Sequence, residues 1–137
     1  MRRIATLAGG VVVAAGLAMV AACGSSSSDS SSTAPSGGCT PSTSANTLVI
    51  QNNTICPSAI TVARGTQITI LNSDSRIHEM DSDPHPEHTD CPELNQIGHL
   101  EVSQSRQSGN LNTARKCGMH DHLSPDTASL KATITIQ

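Results

Sequence analysis

Phenylalanine, tyrosine and tryptophan are all missing from the 137 residues. Any core must therefore be built from Ile, Leu, Val and Ala, which bury less area per residue than rings do. A small domain with so thin a core normally leans on disulfides or a bound metal. Cations are also scarce: 8 Lys and Arg stand against 11 Asp and Glu. No basic patch points to nucleic acid. There is no Ser-His-Asp nucleophile pattern, no phosphate-binding glycine loop and no internal repeat.

The one long apolar run lies at the start. Met1-Arg2-Arg3 is followed by apolar and small residues from Ile4 to Ala22. That is the three-part layout of an export signal. At this length and glycine content it is marginal as a membrane span, which needs about 20 apolar residues. Val20-Ala21-Ala22-Cys23 resembles the lipobox of bacterial lipoproteins. The resemblance implies cleavage before Cys23 and acylation of its side chain, which anchors the chain in a membrane of the cell envelope. The domain would then face the periplasm or the outside. Loss of Arg2 and Arg3 leaves 6 cations against 11 carboxylates, a formal charge of −5. Such a body gains no electrostatic help at an anionic membrane, so the lipid must hold it there.

The expected organisation is a signal peptide over 1–22, a tether over 23–45 and one domain over 46–137. The tether is rich in Ser, Thr, Gly and Pro and has almost nothing to bury, so disorder is expected. Within the domain the apolar pattern has the period of strands. Thr47–Gln51 is short and β-branched, and Ala59–Ala63, Thr66–Leu71 and Leu130–Ile136 alternate apolar with polar. Arg64-Gly65 reads as a turn, and Pro84, Pro86 and Pro92 make 81–96 a stiff loop. Weaker strands are expected near Ile77–Met80, Gly98–Val102 and Asn110–Arg115. The pattern predicts an all-β, antiparallel Greek-key sandwich of about seven strands and no helix.

All six histidines fall between His78 and His122. One cluster runs from His78 through His85 and His88. The other is Cys117-Gly118-Met119-His120-Asp121-His122. Imidazole and thiolate are the ligands that borderline and soft transition metals prefer. Taken singly, each histidine reads as a solvated loop residue. Taken together, the Cys-x-x-His-x-His group reads as a metal site.

From Ser58 to Gln137 the chain resembles the cupredoxins, a family of small copper proteins. The matching positions are Pro57, Ile60, Val62, Gly65, Thr66, Ile68, Ile70, Asn72, Asp74 and His78, then the late loop Cys117–His122 and the closing strand. The resemblance implies a cupredoxin-like sandwich binding copper through His78, Cys117 and one of His120 or His122, with His120 the preferred match. A trigonal His₂Cys site suits one-electron transfer. Two departures stand out. No Met follows the second His at the family's axial spacing, where Leu123-Ser124-Pro125 stand instead. Arg115-Lys116 precede Cys117 where no aromatic is found; they read either as cations that ease thiol ionisation or as solvated strand ends. His85 and His88 lie outside the family's usual site and are a possible second metal site, with His122 as a further ligand, or a docking loop.

With Cys23 lipidated, Cys39, Cys56, Cys91 and Cys117 remain. An exported protein normally pairs its thiols. If all four pair, Cys117 is no ligand. If Cys117 binds copper, Cys91 bridges Cys56 or Cys39, and Cys39 in the tether is the expected odd thiol. The expectation is an anchored monomer that carries copper or an electron to or from a partner protein rather than an enzyme. A superoxide dismutase-like Cu/Zn site built on His78, His85, His88, His120 and His122, and a structural lipoprotein domain, are the alternatives.

Overall fold

The computed structural model describes residues 38–137. The export signal, Cys23 and most of the tether lie outside the described residues. Nine strands and two short 3-10 turns follow one another: β1 Thr47–Gln51, β2 Thr54–Cys56, β3 Ala59–Val62, β4 Thr69–Asn72, β5 His78–Ser82, a turn at Leu94–Gln96, β6 Gly98–Leu100, β7 Ser105–Gln107, β8 Arg115–Asp121, a turn at Ala128–Leu130, and β9 Lys131–Ile136. No helix among the described residues is long and apolar enough to cross a membrane.

The strands form two sheets, ordered β2-β1-β4-β7 and β3-β9-β8-β5-β6. The sandwich is as expected from the alternation, with two differences. Its sheets are mixed, because β1 runs parallel to β4 and β3 parallel to β9. It also has more strands than the seven expected. β2 and β7 are three residues each, too short to show a period. The expected strand at Asn110–Arg115 is instead largely loop, with Leu111 making a single bridge to Thr66.

Most strands contribute apolar side chains to the core, while β7, Ser105–Gln107, is exposed throughout. Leu48 and Ile50 of β1, Ile70 of β4, and Ile134 and Ile136 of β9 meet Ile55, Ile68, Leu94, Ile97, Leu100 and Leu130 in one aliphatic core. At roughly 25 cal/mol per Å² of apolar surface removed from water, these side chains supply the main driving force. Gly65 makes the turn after β3 with φ +81, a left-handed conformation glycine reaches without strain.

Both predicted disulfide questions are decided by the fold. Cys39 bonds to Cys56, and Cys91 bonds to Cys117. Cys39 is therefore not the odd thiol, and Cys91 bridges neither Cys56 nor Cys39. The first bridge fastens the last tether residues to β2, and Asn52 adds a hydrogen bond to the Gly38 carbonyl at 2.7 Å. The second joins the Pro-rich loop to β8.

Candidate metal centre

Strand β8 decides which residues can meet. The segment read from the sequence as a late loop is strand as far as Asp121. Side chains alternate faces along a strand, so residues an odd number apart point opposite ways. Cys117, Met119 and Asp121 face the core, and all three are fully buried. Gly118 and His120 face outward. The odd spacing Cys117–His120 thus separates the two residues that the cupredoxin pattern joins. The even spacing His120–His122 keeps those two together.

His78 falls on the core side as well. It is 0% exposed, with Nδ1 2.9 Å from Asp121 Oδ2 and Nε2 3.3 Å from Asp74 Oδ2. Both ring nitrogens face carboxylates, and His78 is not part of the imidazole cluster of His85, His88, His120 and His122. Asn72 organises this corner. Its amide donates to the carbonyls of Arg76, Leu100 and Glu101, and its Oδ1 accepts from the Asp74 N–H. Burial by itself would raise the Asp74 pKa. Hydrogen bonds from the Asn53 and Ser75 backbone, with the His78 ring alongside, outweigh it and hold the carboxyl below its ordinary value. The Asn72-x-Asp74-x₃-His78 motif is thus a hydrogen-bonded structural unit here. Cys117, bound to Cys91, offers no thiolate. Met119 packs in the core and is no axial ligand. Of the cations before Cys117, Arg115 pairs with Glu93 and Lys116 is exposed.

The outward face of β8 gathers a different set. His85, His88, His120 and His122 each present one ring nitrogen, all within 4.8 Å of one another. Five of the six ring pairs, all except His120–His122, have centroids 4.9–5.7 Å apart. His85 and His88 come from the Pro-rich loop after β5. There the His88 N–H donates to the Pro84 carbonyl at 2.7 Å, closing a single turn in which the His85 and His88 ring centroids lie 5.7 Å apart. Asn95 holds this turn against the sheet by accepting from the Ser82 N–H and donating to the His88 carbonyl. The Cys91–Cys117 bridge closes the far end of the loop.

The donor set passes three physical tests for a metal. First, His120 is 1% exposed, its Nδ1 faces Asp83 Oδ1 at 2.6 Å, and its Nε2 is buried with no hydrogen-bond partner. An orphaned buried nitrogen costs free energy unless something binds it. Second, His122 Nδ1 and His88 Nε2 face each other at 3.2 Å. Donors bound at 2.0–2.1 Å around a tetrahedral ion would sit about 3.3 Å apart. Third, Asp81 Oδ2 lies 3.9 Å from Nδ1 of both His88 and His122, so two carboxylates, Asp81 and Asp83, flank the imidazoles and favour a cation. Of the sequence candidates, His120 and His122 are brought together with His85 and His88, while His78 and Cys117 are not. The sixth histidine, His99, stands apart beside Glu101.

Similarity to known proteins follows the fold. No protein-family model matches the chain, and no curated protein sequence does. Solved structures do. A purple cupredoxin from Nitrosopumilus maritimus aligns with a TM-score of 0.52 at 13% identity, over 66% of this chain and 98% of that one. Oxidised plastocyanin from Dryopteris crassirhizoma aligns with a TM-score of 0.53 at 18% identity, over 66% and 99%. A Cu(I) form of an amicyanin mutant aligns with a TM-score of 0.51 at 13% identity, over 66% and 80%. The protein therefore has a cupredoxin-like fold.

Proposed function

We propose that this is a lipid-anchored copper-binding protein of the bacterial cell envelope, holding one copper ion among His85, His88, His120 and His122. The observation that carries the reading is the convergence of four imidazoles, one of which, His120, has a buried Nε2 with no hydrogen-bond partner. Imidazole sets accept several transition metals, and copper stands highest in the affinity order for divalent ions. The cupredoxin-like fold, shared with copper proteins such as the Cu(I) amicyanin, favours the same ion. Bound copper would supply a centre for one-electron exchange or for transfer of the ion itself to a partner protein. The chain's residues would hold it in place. His120 rides on strand β8, His122 follows directly after its end with its N–H bonded to the Glu79 carbonyl, and the other two sit on a loop stiffened by Pro84 and Pro86 and closed by a disulfide. That rigidity favours a site with little rearrangement between oxidation states. The lipid on Cys23 and the Ser-rich tether would place the site outside the cytoplasm, where the disulfides persist.

Metal analysis and spectroscopy of the full chain in mild detergent test this. One equivalent of Cu(II) is expected, with nitrogen hyperfine structure in electron paramagnetic resonance and no intense thiolate-to-copper band. An intense blue colour that vanishes in Cys117→Ser would replace this reading with the thiolate site. Failure to bind stoichiometric copper would remove it.

The superoxide dismutase-like reading keeps one supporting observation, a histidine site without thiolate in which His85 is exposed. Dismutase activity of the copper-loaded chain, lost in His120→Ala, is its test.

A further inference from the structure

Resting on the four-histidine reading, we infer that Asp83 is the positioning residue of the metal site, and that Gly118 is glycine so that Asp83 can reach it. A carboxylate can only accept, so its 2.6 Å contact places the proton of His120 on Nδ1. The lone pair is then on Nε2, the buried atom that has no other partner. Asp83 thereby selects the tautomer and locks the ring of the most buried of the four ligands. A ligating imidazole held by a carboxylate on its other nitrogen is also a more basic donor.

Gly118 makes the contact possible. It occupies the outward face of β8 two residues before His120, on the path of the Asp83 side chain. A Cβ built on Gly118 would lie 1.8 Å from Asp83 Oδ2 and 2.6 Å from its Cγ. No rotation of an alanine methyl relieves that, so the carboxylate would have to leave. Gly118 has no positive φ that would require glycine on conformational grounds. Close approach of the carboxylate is the reason the structure offers for glycine at this position. The Asp83 backbone is fixed independently. Its N–H donates to the Gly118 carbonyl at 3.0 Å, and its carbonyl accepts from the Asp90 N–H at 2.8 Å. The side chain can thus be removed while the loop stays attached.

The test is a set of Cu(II) affinities of the full chain, measured by competition with a chromophoric chelator, with melting curves of the metal-free proteins. Asp83→Ala is expected to weaken binding about 10- to 100-fold while the melting temperature of the metal-free form changes little. Asp83→Asn, which can still accept at Nδ1–H without the charge, should fall between. Gly118→Ala should weaken binding as Asp83→Ala does, and the double variant no further. In a His120→Ala background Asp83→Ala should have no additional effect. Unchanged affinity in Asp83→Ala, or a full additional loss in either double variant, overturns the inference. A wild-type chain that binds no copper overturns the four-histidine reading instead. Wild-type binding that His120→Ala leaves intact does the same, so the two failures are told apart.

Discussion

Cys117 and His120 lie on opposite faces of one strand. The thiol side of β8 looks into the core and is bonded to Cys91, and the imidazole side looks out at His85, His88 and His122. Strand parity therefore separates the disulfide-bonded Cys117 from the imidazole cluster.

Substitution of the clustered histidines should act on metal binding and little on folding where the ring is exposed. His85→Ala and His122→Ala are expected to reduce Cu(II) affinity at least tenfold, with metal-free stability within about 0.5 kcal/mol of wild type. His99→Ala should leave affinity unchanged. Equilibrium chelator competition with urea denaturation checks both halves.

His78 should behave in the opposite way. Removing it takes the hydrogen bond from the buried Oδ2 of Asp121 and one partner from Asp74. His78→Ala is expected to cost about 2 kcal/mol or more while copper stoichiometry stays the same. Loss of copper in a variant that remains folded would return His78 to the ligand set.

Acid should weaken the fold through Asp74. Its folded pKa lies below the ordinary value of 3.8. The ionised form therefore favours the folded state. That contribution is complete above the unfolded value and disappears as the pH falls through the folded one. Asp74→Asn should lower stability at neutral pH and flatten the loss below about pH 4. Denaturation midpoints across pH 2–7 measure it. An unchanged acid slope would contradict the assignment.

Reduction should loosen the domain. The Cys91–Cys117 bridge spans 26 residues, and loop-closure entropy assigns it about 3.5 kcal/mol. With so few large apolar side chains, the Cys91→Ala/Cys117→Ala protein should melt well below wild type. It should also bind copper more weakly, because the loop bearing His85 and His88 loses its closure. Calorimetry and chelator competition on the double variant give the two numbers.

Cys23 is the test of the anchor. Cys23→Ser should move the protein from the membrane fraction to the soluble one and abolish fatty-acid labelling. Membrane association that survives the substitution would point to retention of the apolar run itself.

Much of the fold was legible in the residues. β1 is Thr47–Gln51 as the β-branched run predicts, β9 falls within Leu130–Ile136, and the Arg64-Gly65 turn is where glycine was needed. Aliphatic alternation produces those elements, and it is a local property. β2 and β7 escaped because three residues carry no period. The likeness to cupredoxins was legible for the same reason as the strands, since its motif is largely a record of core positions.

The site was legible as an inventory and not as an arrangement. That candidate metal ligands crowd into His78–His122 follows from the sequence alone. Which of them meet depends on facts that spacing cannot carry. Strand β8 continues through Asp121 because it pairs with β9 and β5 on both sides, and this pairing turns Cys117 inward and His120 outward. Cys91 comes within bonding distance of Cys117 only once the Pro-rich loop has folded back over β8. The sequence determined an aliphatic β-sandwich with histidines to spare. Tertiary structure decided that His78 would be held by two carboxylates and that four other imidazoles would gather on the opposite face of β8, because strand parity and loop closure act between residues far apart in the chain.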